Sequence, residues 1–193
     1  MPRLVDHEER RHEIALATWR AIDELGVEGT TMRAIADRAG CTIGRLNHYF
    51  TCREDMLVAA LRHAHTQTAS RMLRAIDGRS GRDALRAVLL EALPLDDQRR
   101  TEWKVWLTFW AQAITTESLR SEHQQRYHEW RQLVATLVAQ AAPSLRKPQV
   151  ERLTNALIAT VDGLGVQTLM SPDAKAERRA TQAIAAAIDT LFG

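Results

Sequence analysis

The stretch of sequence that decides the fold is TTMRAIADRAGCTIGRLNHYFTCREDML, residues 30–57. It contains two short segments of helical character, each preceded by a threonine (Thr31 and Thr42) that is a preferred helix N-cap. Gly40 lies between the two segments, where a glycine can adopt the positive φ of a tight bend. Two short helices joined in this way predict a helix-turn-helix.

The second of these helices has the composition of a helix that contacts DNA bases. Ile35, Ala39 and Leu46 are predicted to bury the inner face of the motif. The outer face presents polar side chains that can contact phosphates or base edges, namely Thr42, Arg45, Asn47 and His48. The guanidinium of Arg45 can fork onto O6 and N7 of guanine, and the amide of Asn47 can pair with adenine. We therefore predict that this helix enters the major groove of duplex DNA.

Residues 30–57 resemble the signature of the TetR family of transcriptional repressors. The shared features are a Thr-Thr pair, an Ile-Ala, an Ala-Gly and a recognition helix that ends in Tyr-Phe. Two positions depart from the family pattern, because Asn47 stands where a tyrosine is usual and Arg53 where a lysine is usual. The resemblance implies DNA contacts at Arg33, Thr42, Ile43, Arg45, Asn47, His48, Tyr49 and Arg53.

The charge balance requires any DNA-binding surface to be local. The chain of 193 residues has a formal net charge of +2, and residues 1–55 contain 8 basic against 10 acidic side chains. We therefore expect the acidic residues of the first helix to lie away from the groove, while Arg33, Arg45 and Arg53 face it together. Further candidates for phosphate contacts near the amino terminus are Arg3, Arg10 and Arg11.

The rest of the sequence has helical periodicity almost throughout, with prolines at the joints. An apolar stripe predicts an opening helix over residues 11–25, closed by Gly26. Further helices are predicted at 53–76, 82–93, 97–116, 117–142, 149–170 and 173–192. No stretch has the alternation of a strand, so the predicted fold class is all-α with about nine helices. The predicted domains are a helix-turn-helix DNA-binding domain (1–52) and a helical effector-binding and dimerisation domain (53–193).

Composition and motifs exclude several classes of protein. The charged opening MPRLVDHEERR lacks the apolar region of a signal peptide, and no apolar run approaches the length of a membrane helix. We therefore expect a soluble, cytoplasmic protein with no membrane partner. No nucleophile with a helper base, phosphate loop or metal-ligand spacing is present, so we predict no enzyme activity, cofactor or metal. For Cys41 and Cys52 we favour a plain structural role, with a redox pair as the open alternative.

Beyond about residue 85 the sequence resembles, more loosely, the C-terminal domain of BetI-like members of the TetR family. The similar stretches are WLTFWAQAI, SLRSEHQQRYHEW and LIATVDGLGVQTLM. The resemblance implies a helical body that dimerises and binds a small-molecule effector. It leaves the identity of that effector open.

Aromatic residues are concentrated in this body. Three tryptophans recur at helical spacing on one helix face, and Tyr127 and Trp130 do the same on the next helix. Such a cluster either fills a core or encloses a flat or cationic ligand through cation–π contacts. Asp162 interrupts an apolar run, where a carboxylate needs a partner or a function, and Glu102 is a second carboxylate in this region. The candidate effector contacts are Trp103, Trp106, Trp110, Tyr127, Trp130 and Asp162.

Residues 149–192 are predicted to form a homodimer interface. Two helices from each chain, both with broad apolar stripes, give a four-helix bundle whose twofold axis matches a palindromic DNA site. The stripe positions are Leu153, Leu157, Val161, Leu164, Thr168, Ala183, Ile184, Ala187, Ile188 and Leu191. Gly163 and Gly165 are expected to let helices approach closely in the same interface.

Together these predictions describe a dimeric repressor that binds a palindromic operator and is released when a small molecule occupies its body. Two alternatives stay open. The first is a DNA-binding protein that responds to no effector, and the second is an enzyme that uses the helical body as its active site. Loss of operator binding on addition of a ligand separates these hypotheses.

Overall fold

The computed structural model describes residues 2–192, without the side chains of residues 2–6 and 27. Within this part of the chain there are nine helices and no strand, which confirms the all-α fold class. The helices are α1 (Pro2–Gly29), α2 (Met32–Arg38), α3 (Ile43–Tyr49), α4 (Arg53–Ile76), α5 (Gly81–Glu91), α6 (Asp97–Ala113), α7 (Glu117–Ala141), α8 (Lys147–Met170) and α9 (Ala174–Phe192). None of the described helices is long and apolar enough to cross a membrane.

The chain packs into two compact units. The first unit consists of Met1–Thr66 and Lys104–Gln124, and the second of Gln67–Trp103 and Gln125–Gly193. Helices α4, α6 and α7 therefore contribute residues to both units. The boundary predicted between residues 52 and 53 divides the chain by function rather than by packing, and it stays a prediction.

Local chemistry sets the ends of the short helices in the first unit. The hydroxyl of Thr31 accepts a hydrogen bond from the backbone N–H of Ala34 at 3.1 Å, and that of Thr42 accepts one from the N–H of Arg45 at 3.2 Å. Each bond satisfies an N–H group that the start of a helix leaves without an intrahelical partner. Gly40 has a φ of +61° in the turn between the helices. The helix-turn-helix therefore forms from the same residues that predicted it.

Helix α1 begins earlier than predicted and is interrupted at its predicted end. It spans Pro2–Gly29, but Gly26 inside it has φ 69° and ψ −173°, which is not a helical conformation. A glycine adopts this positive φ without the steric cost that a Cβ would add. The predicted stop at Gly26 therefore corresponds to a break in the helix.

Two apolar clusters form the core of the first unit. The first holds the helix-turn-helix against α1 through Ile14, Ala17, Ala21, Ile35, Ala36, Leu46, Phe50 and Met56. The second packs α1 against α4, α6 and α7 through Ile22, Leu57, Ala60, Leu61, Ala64, Val105, Phe109, Ala113 and Leu119. Parts of α6 and α7 are thus packed in the same unit as the helix-turn-helix.

Packing within the second unit corrects the predicted dimer stripe. Helix α9 packs against α5 and α8 of its own chain. Five of the stripe positions are buried there, namely Leu157, Val161, Thr168, Ile184 and Ile188. Periodicity identifies an apolar face, but it does not reveal whether the same chain or another copy covers that face. The remaining stripe positions, which are all partly exposed, are Leu153, Leu164, Ala183, Ala187 and Leu191.

The expected interface role of Gly165 is also wrong. A Cβ added at Gly165 would lie 2.0 Å from Cη2 of Trp103, so this glycine makes room for an indole of its own chain. Gly163 differs, because it is exposed and nothing lies within 4 Å of the position of its Cβ. Of these two glycines, only Gly163 lies at the surface, where another chain can approach it.

Candidate DNA interface and effector site

Helix α3 directs one apolar residue inward and its predicted DNA contacts outward. Leu46 is fully buried against α1 and α2. The exposed side chains at the start and along the outer face of the helix are Thr42, Ile43, Arg45, Asn47 and His48. Ile43 keeps 43% of its surface exposed, which leaves its side chain available for apolar contact with the methyl group of thymine.

Three further predicted contacts flank this face in different environments. Arg33 is exposed on α2, whereas Tyr49 and Arg53 are half-buried. The Nε of Arg53 donates to the carbonyl oxygen of Thr30 at 2.6 Å, and its Nη1 donates to Oε1 of Gln112 at 3.4 Å. The arginine that replaces the usual lysine of the family therefore also fixes the turn before α2.

The C-terminal end of α3 is anchored by α1. The guanidinium of Arg11 donates to the carbonyl oxygen of Tyr49 and lies 4.3 Å from the centre of the Phe50 ring. Arg10 pairs with Glu13 on its own helix. Both arginines that were candidates for phosphate contacts thus have partners within the chain, and the side chain of Arg3 lies outside the described residues.

Acidic residues of α1 are paired with cations inside the first unit. Asp23 accepts a hydrogen bond from Nζ of Lys104 at 2.6 Å, and Glu24 accepts one from Nη2 of Arg38 at 2.6 Å. Each pair reduces the local negative charge that the composition predicted for this region. The negative charge of α1 therefore offsets the exposed cation Arg45 less than the residue counts suggest.

In the second unit, Glu102 and Trp103 are occupied by internal contacts. Glu102 is 3% exposed and accepts hydrogen bonds from Arg71 and from the hydroxyl of Thr68 at 2.8 Å. Trp103 is 7% exposed, and its indole N–H donates to the carbonyl oxygen of Ala92 at 2.8 Å. Glu102 is therefore satisfied as the centre of a buried ion pair, and Trp103 has a packing role whether or not a ligand reaches it.

The structure divides the remaining predicted aromatic contacts between the two units. Trp106 and Trp110 belong to the first unit with their ring centres 6.4 Å apart, and Trp110 lies edge-on to His123 at 6.1 Å. Tyr127 and Trp130 belong to the second unit, where both are half-buried. The sequence did not predict that His123 lies beside Trp110, because the two residues are on different helices and meet only through tertiary packing.

Tyr127 and Asp162 are brought together by α7 and α8. The phenol of Tyr127 donates to Oδ2 of Asp162 at 2.5 Å, and the guanidinium of Arg131 lies 5.9 Å from the centre of the Tyr127 ring. Burial raises the pKa of the Asp162 carboxyl above its ordinary value, although the Tyr127 bond and the charge of Arg131 oppose the shift. Burial and the bond to Asp162 also raise the pKa of Tyr127, so the phenol keeps its proton. A partly buried carboxylate with a neutral donor is a site where a ligand cation would relieve the cost of burial.

The described residues contain no group of three or more side chains that could hold a metal ion. Cys41 and Cys52 are free thiols. Burial raises the pKa of Cys52, and Glu54 adds to the shift, although a backbone hydrogen bond at Asp55 opposes it. Because the thiolate is the reactive form, this environment favours the plain structural role over the redox alternative.

Two family profiles match the chain. Residues 14–60 match bacterial regulatory proteins of the tetR family, and residues 81–193 match the C-terminal domain of BetI-type transcriptional repressors. The chain belongs to the TetR family. It is a DNA-binding transcriptional regulator rather than an enzyme, since its relatives are named as regulators.

The similarity to two named regulators extends over most of this TetR-family chain. The regulator PksA of Bacillus subtilis is 32% identical over 176 residues, which cover 89% of this chain and 84% of the relative. The regulator BetI of Burkholderia mallei is 35% identical over 168 residues, with 85% and 84% covered.

The fold is also shared with solved regulators. A transcriptional regulator of Rhodococcus has a TM-score of 0.85 and 27% identity, covering 94% of this chain and 95% of the other. A regulator of Saccharomonospora viridis, solved in complex with choline, has a TM-score of 0.85 and 24% identity, with 94% and 96% covered.

Proposed function

We propose that this TetR-family regulator is a repressor that binds a palindromic operator as a homodimer and leaves it when a small molecule binds. The exposed outer face of α3 carries the proposal. Arg45, Asn47 and Ile43 project from a helix whose opposite face is fixed in a core, so they can meet base edges without rearrangement. The protein then acts in the cytoplasm, where operator DNA lies.

The proposed DNA contacts differ in what they contribute. Arg45, Asn47 and Ile43 lie on the base-reading face, whereas Arg33 and Arg53 serve the phosphate backbone, which positions the helix but carries no sequence information. The test is a titration of the duplex from the protein's own promoter region at several salt concentrations. We expect tight binding with a steep salt dependence, because each neutralised phosphate contributes to the slope. Equal affinity for an unrelated duplex would refute operator recognition.

Arg53 needs its own variant because it also contacts the carbonyl of Thr30. Arg53→Lys keeps the charge and matches the residue usual in the family, so we expect phosphate binding to survive in this variant. Arg53→Ala is expected to weaken binding to all sequences alike and to lower the salt slope by about one. A change of base preference in Arg53→Ala with an intact fold would reverse the assigned role.

Dimerisation is proposed to use the faces of α8 and α9 that their own chain leaves uncovered. On α8 this face carries Ala156, Ala159 and Gly163, all exposed, and on α9 it includes Ala183 and Ala186. Small side chains let helices of two chains approach closely, and an isologous contact supplies the twofold axis of a palindrome. The uncovered parts of the predicted 149–192 interface, rather than its full apolar stripe, then join the two chains.

A charge on this face tests the dimer. We expect Ala159→Glu to give a monomer in sedimentation and to lose palindrome binding, although α3 is untouched. Gln140→Glu, at an exposed position of α7, is the matched control and should leave a dimer. A monomeric Ala159→Glu variant that still protects a complete palindrome would contradict the proposal.

The effector is proposed to be a cation with apolar groups, held in the second unit by Asp162, Tyr127 and Trp130. A cation near Asp162 would offset the burial of its carboxylate, and half-buried aromatic faces attract cations. The solved relative that contains choline makes this compound the first to test. Trp103 is the weakest of the other predicted contacts, because its indole is already bonded and buried, and the predicted contacts Trp106 and Trp110 belong to the first unit.

Release of the operator duplex by choline and by tetramethylammonium tests this class of effector. We expect release together with a change in tryptophan fluorescence, and a loss of the response in Asp162→Asn. Glu151→Gln, which removes an exposed carboxylate from the same helix, is the control and should respond normally. Operator binding that neither cation weakens would refute the cationic class, and binding that no metabolite extract weakens would favour the effector-independent alternative.

A further inference from the structure

The rings of three residues meet where α1 passes the end of the recognition helix. The His7 ring centre lies 4.9 Å from that of Tyr49 and 6.2 Å from that of His48. The His48 and Tyr49 rings meet edge-on at 5.0 Å with an interplanar angle of 84°. His48 is exposed, whereas His7 and Tyr49 are half-buried. The outermost ring of this corner is therefore a histidine on the face that carries Arg45 and Asn47.

We propose that His48 contacts a DNA phosphate as an imidazolium, that His7 is the positioning residue for its ring, and that DNA binding therefore takes up protons. Histidine is the side chain whose charge ordinarily changes between pH 5 and 8. A phosphate within reach favours the charged ring, so binding is stronger at lower pH. This inference rests on the proposed docking of α3 on DNA.

The packing assigns His7 an indirect role. His7 and Arg11 lie one turn apart on α1, and Arg11 already fixes the end of α3 by donating to the carbonyl oxygen of Tyr49. The ring of His7 then packs on Tyr49 and limits the positions open to His48. Because His7 acts through the shape of its ring, we expect another flat ring at this position to perform the same role.

The charged groups around this corner set the direction of the effect. Arg11 on α1 and Arg45 one turn back on α3 are cations, and Glu8 is an exposed carboxylate next to His7 in the chain. In the complex, DNA phosphates bring negative charge to this corner, and negative charge favours the imidazolium form of a histidine beside it. His48 lies in the last turn of α3, at the negative end of the helix dipole.

The test measures the affinity of the full-length protein for its promoter duplex between pH 6 and pH 8 at fixed ionic strength. We expect binding about two- to fivefold tighter per protomer at pH 6, the size of an exposed ion pair. The salt slope should steepen by about 0.9 for each phosphate that gains an imidazolium partner. His48→Gln should lose both changes, and His128→Gln, at an exposed position of the second unit, should keep both.

Two variants of His7 separate positioning from charge. His7→Phe keeps a flat ring and should retain the pH dependence, whereas His7→Ala should lose it with thermal unfolding little changed. In the His48→Gln background, His7→Ala should have no further effect on the pH dependence. An affinity independent of pH in the wild type, or a His7→Phe variant that behaves like His7→Ala, would overturn the inference. Absence of DNA binding at every pH would instead refute the docking of α3 on which it rests.

Discussion

The outer face of α3 and the region around Glu102 and Trp103 both carry side chains that are able to contact a ligand, but they lie in opposite environments. On α3, Arg45 and Asn47 are exposed, and a short helix with its own cap holds them. In the second unit, Glu102 and Trp103 are buried and bonded to residues of their own chain. The difference shows that a residue type suggests a ligand contact only where the fold leaves the side chain uncovered.

Asp162 lies between these two extremes. It is half-buried like a structural carboxylate, yet its hydrogen bond is to the neutral phenol of Tyr127, while the nearby cation Arg131 donates to Asn155. Glu102 is instead bonded directly to the cation Arg71. A carboxylate that already has a cation has little to gain from a cationic ligand, whereas one with a neutral donor has more to gain. The two carboxylates of one unit are therefore assigned different roles, and variants at each position test the assignment.

Substitution of Glu102 is expected to cost more stability than any other variant considered below. Glu102→Ala removes the acceptor of a buried pair and leaves the Arg71 guanidinium, whose side chain is 15% exposed, without that partner. We expect a loss of about 3 kcal/mol in the free energy of unfolding, measured by urea titration. Glu151→Ala is the exposed control, and a comparably small loss in both variants would contradict a structural role for Glu102.

The next effect is at the glycine that faces Trp103. Gly165→Ala places a Cβ 2.0 Å from the indole, so the indole must move, and we expect a loss of about 1–3 kcal/mol. Gly163→Ala meets nothing within 4 Å and should be neutral or stabilise the fold by up to about 1 kcal/mol. Thermal unfolding of the two variants compares them directly, and equal stability would mean that Trp103 does not depend on Gly165.

The smallest effect is at Asp162 and depends on pH. Burial raises the pKa of its carboxyl in the folded protein, so the unfolded chain releases this proton at lower pH and the wild type loses stability as pH rises through that window. Asp162→Asn cannot ionise, so its stability relative to the wild type should rise between pH 4 and pH 8 by about 1 kcal/mol or less. Unfolding titrations at both pH values measure this difference, and a relative stability that falls over the range would show that the folded protein favours the charged form.

The sequence predicted the first unit's motif well because the signals are local. Thr31, Thr42 and Gly40 set their helix ends through contacts within four residues, and the sequence displays such contacts directly. Five of the ten stripe positions and the role of Gly165 were predicted wrongly, because each of these residues is covered by a partner far along its own chain. Gly165 and Trp103 are joined only by tertiary packing, and the sequence shows a small residue and a large one without showing that they meet.

The exposed side chains of α3 are expected to discriminate between bases, and a comparison of DNA affinities tests this role. Affinities of the wild type and of Arg45→Ala are compared on the promoter duplex, on single-base variants of it and on an unrelated duplex at one salt concentration. We predict that Arg45→Ala loses about 1–3 kcal/mol on the promoter duplex and discriminates less at one base position in each half-site. Weakening by the same factor on every duplex, with base preference unchanged, would contradict the account.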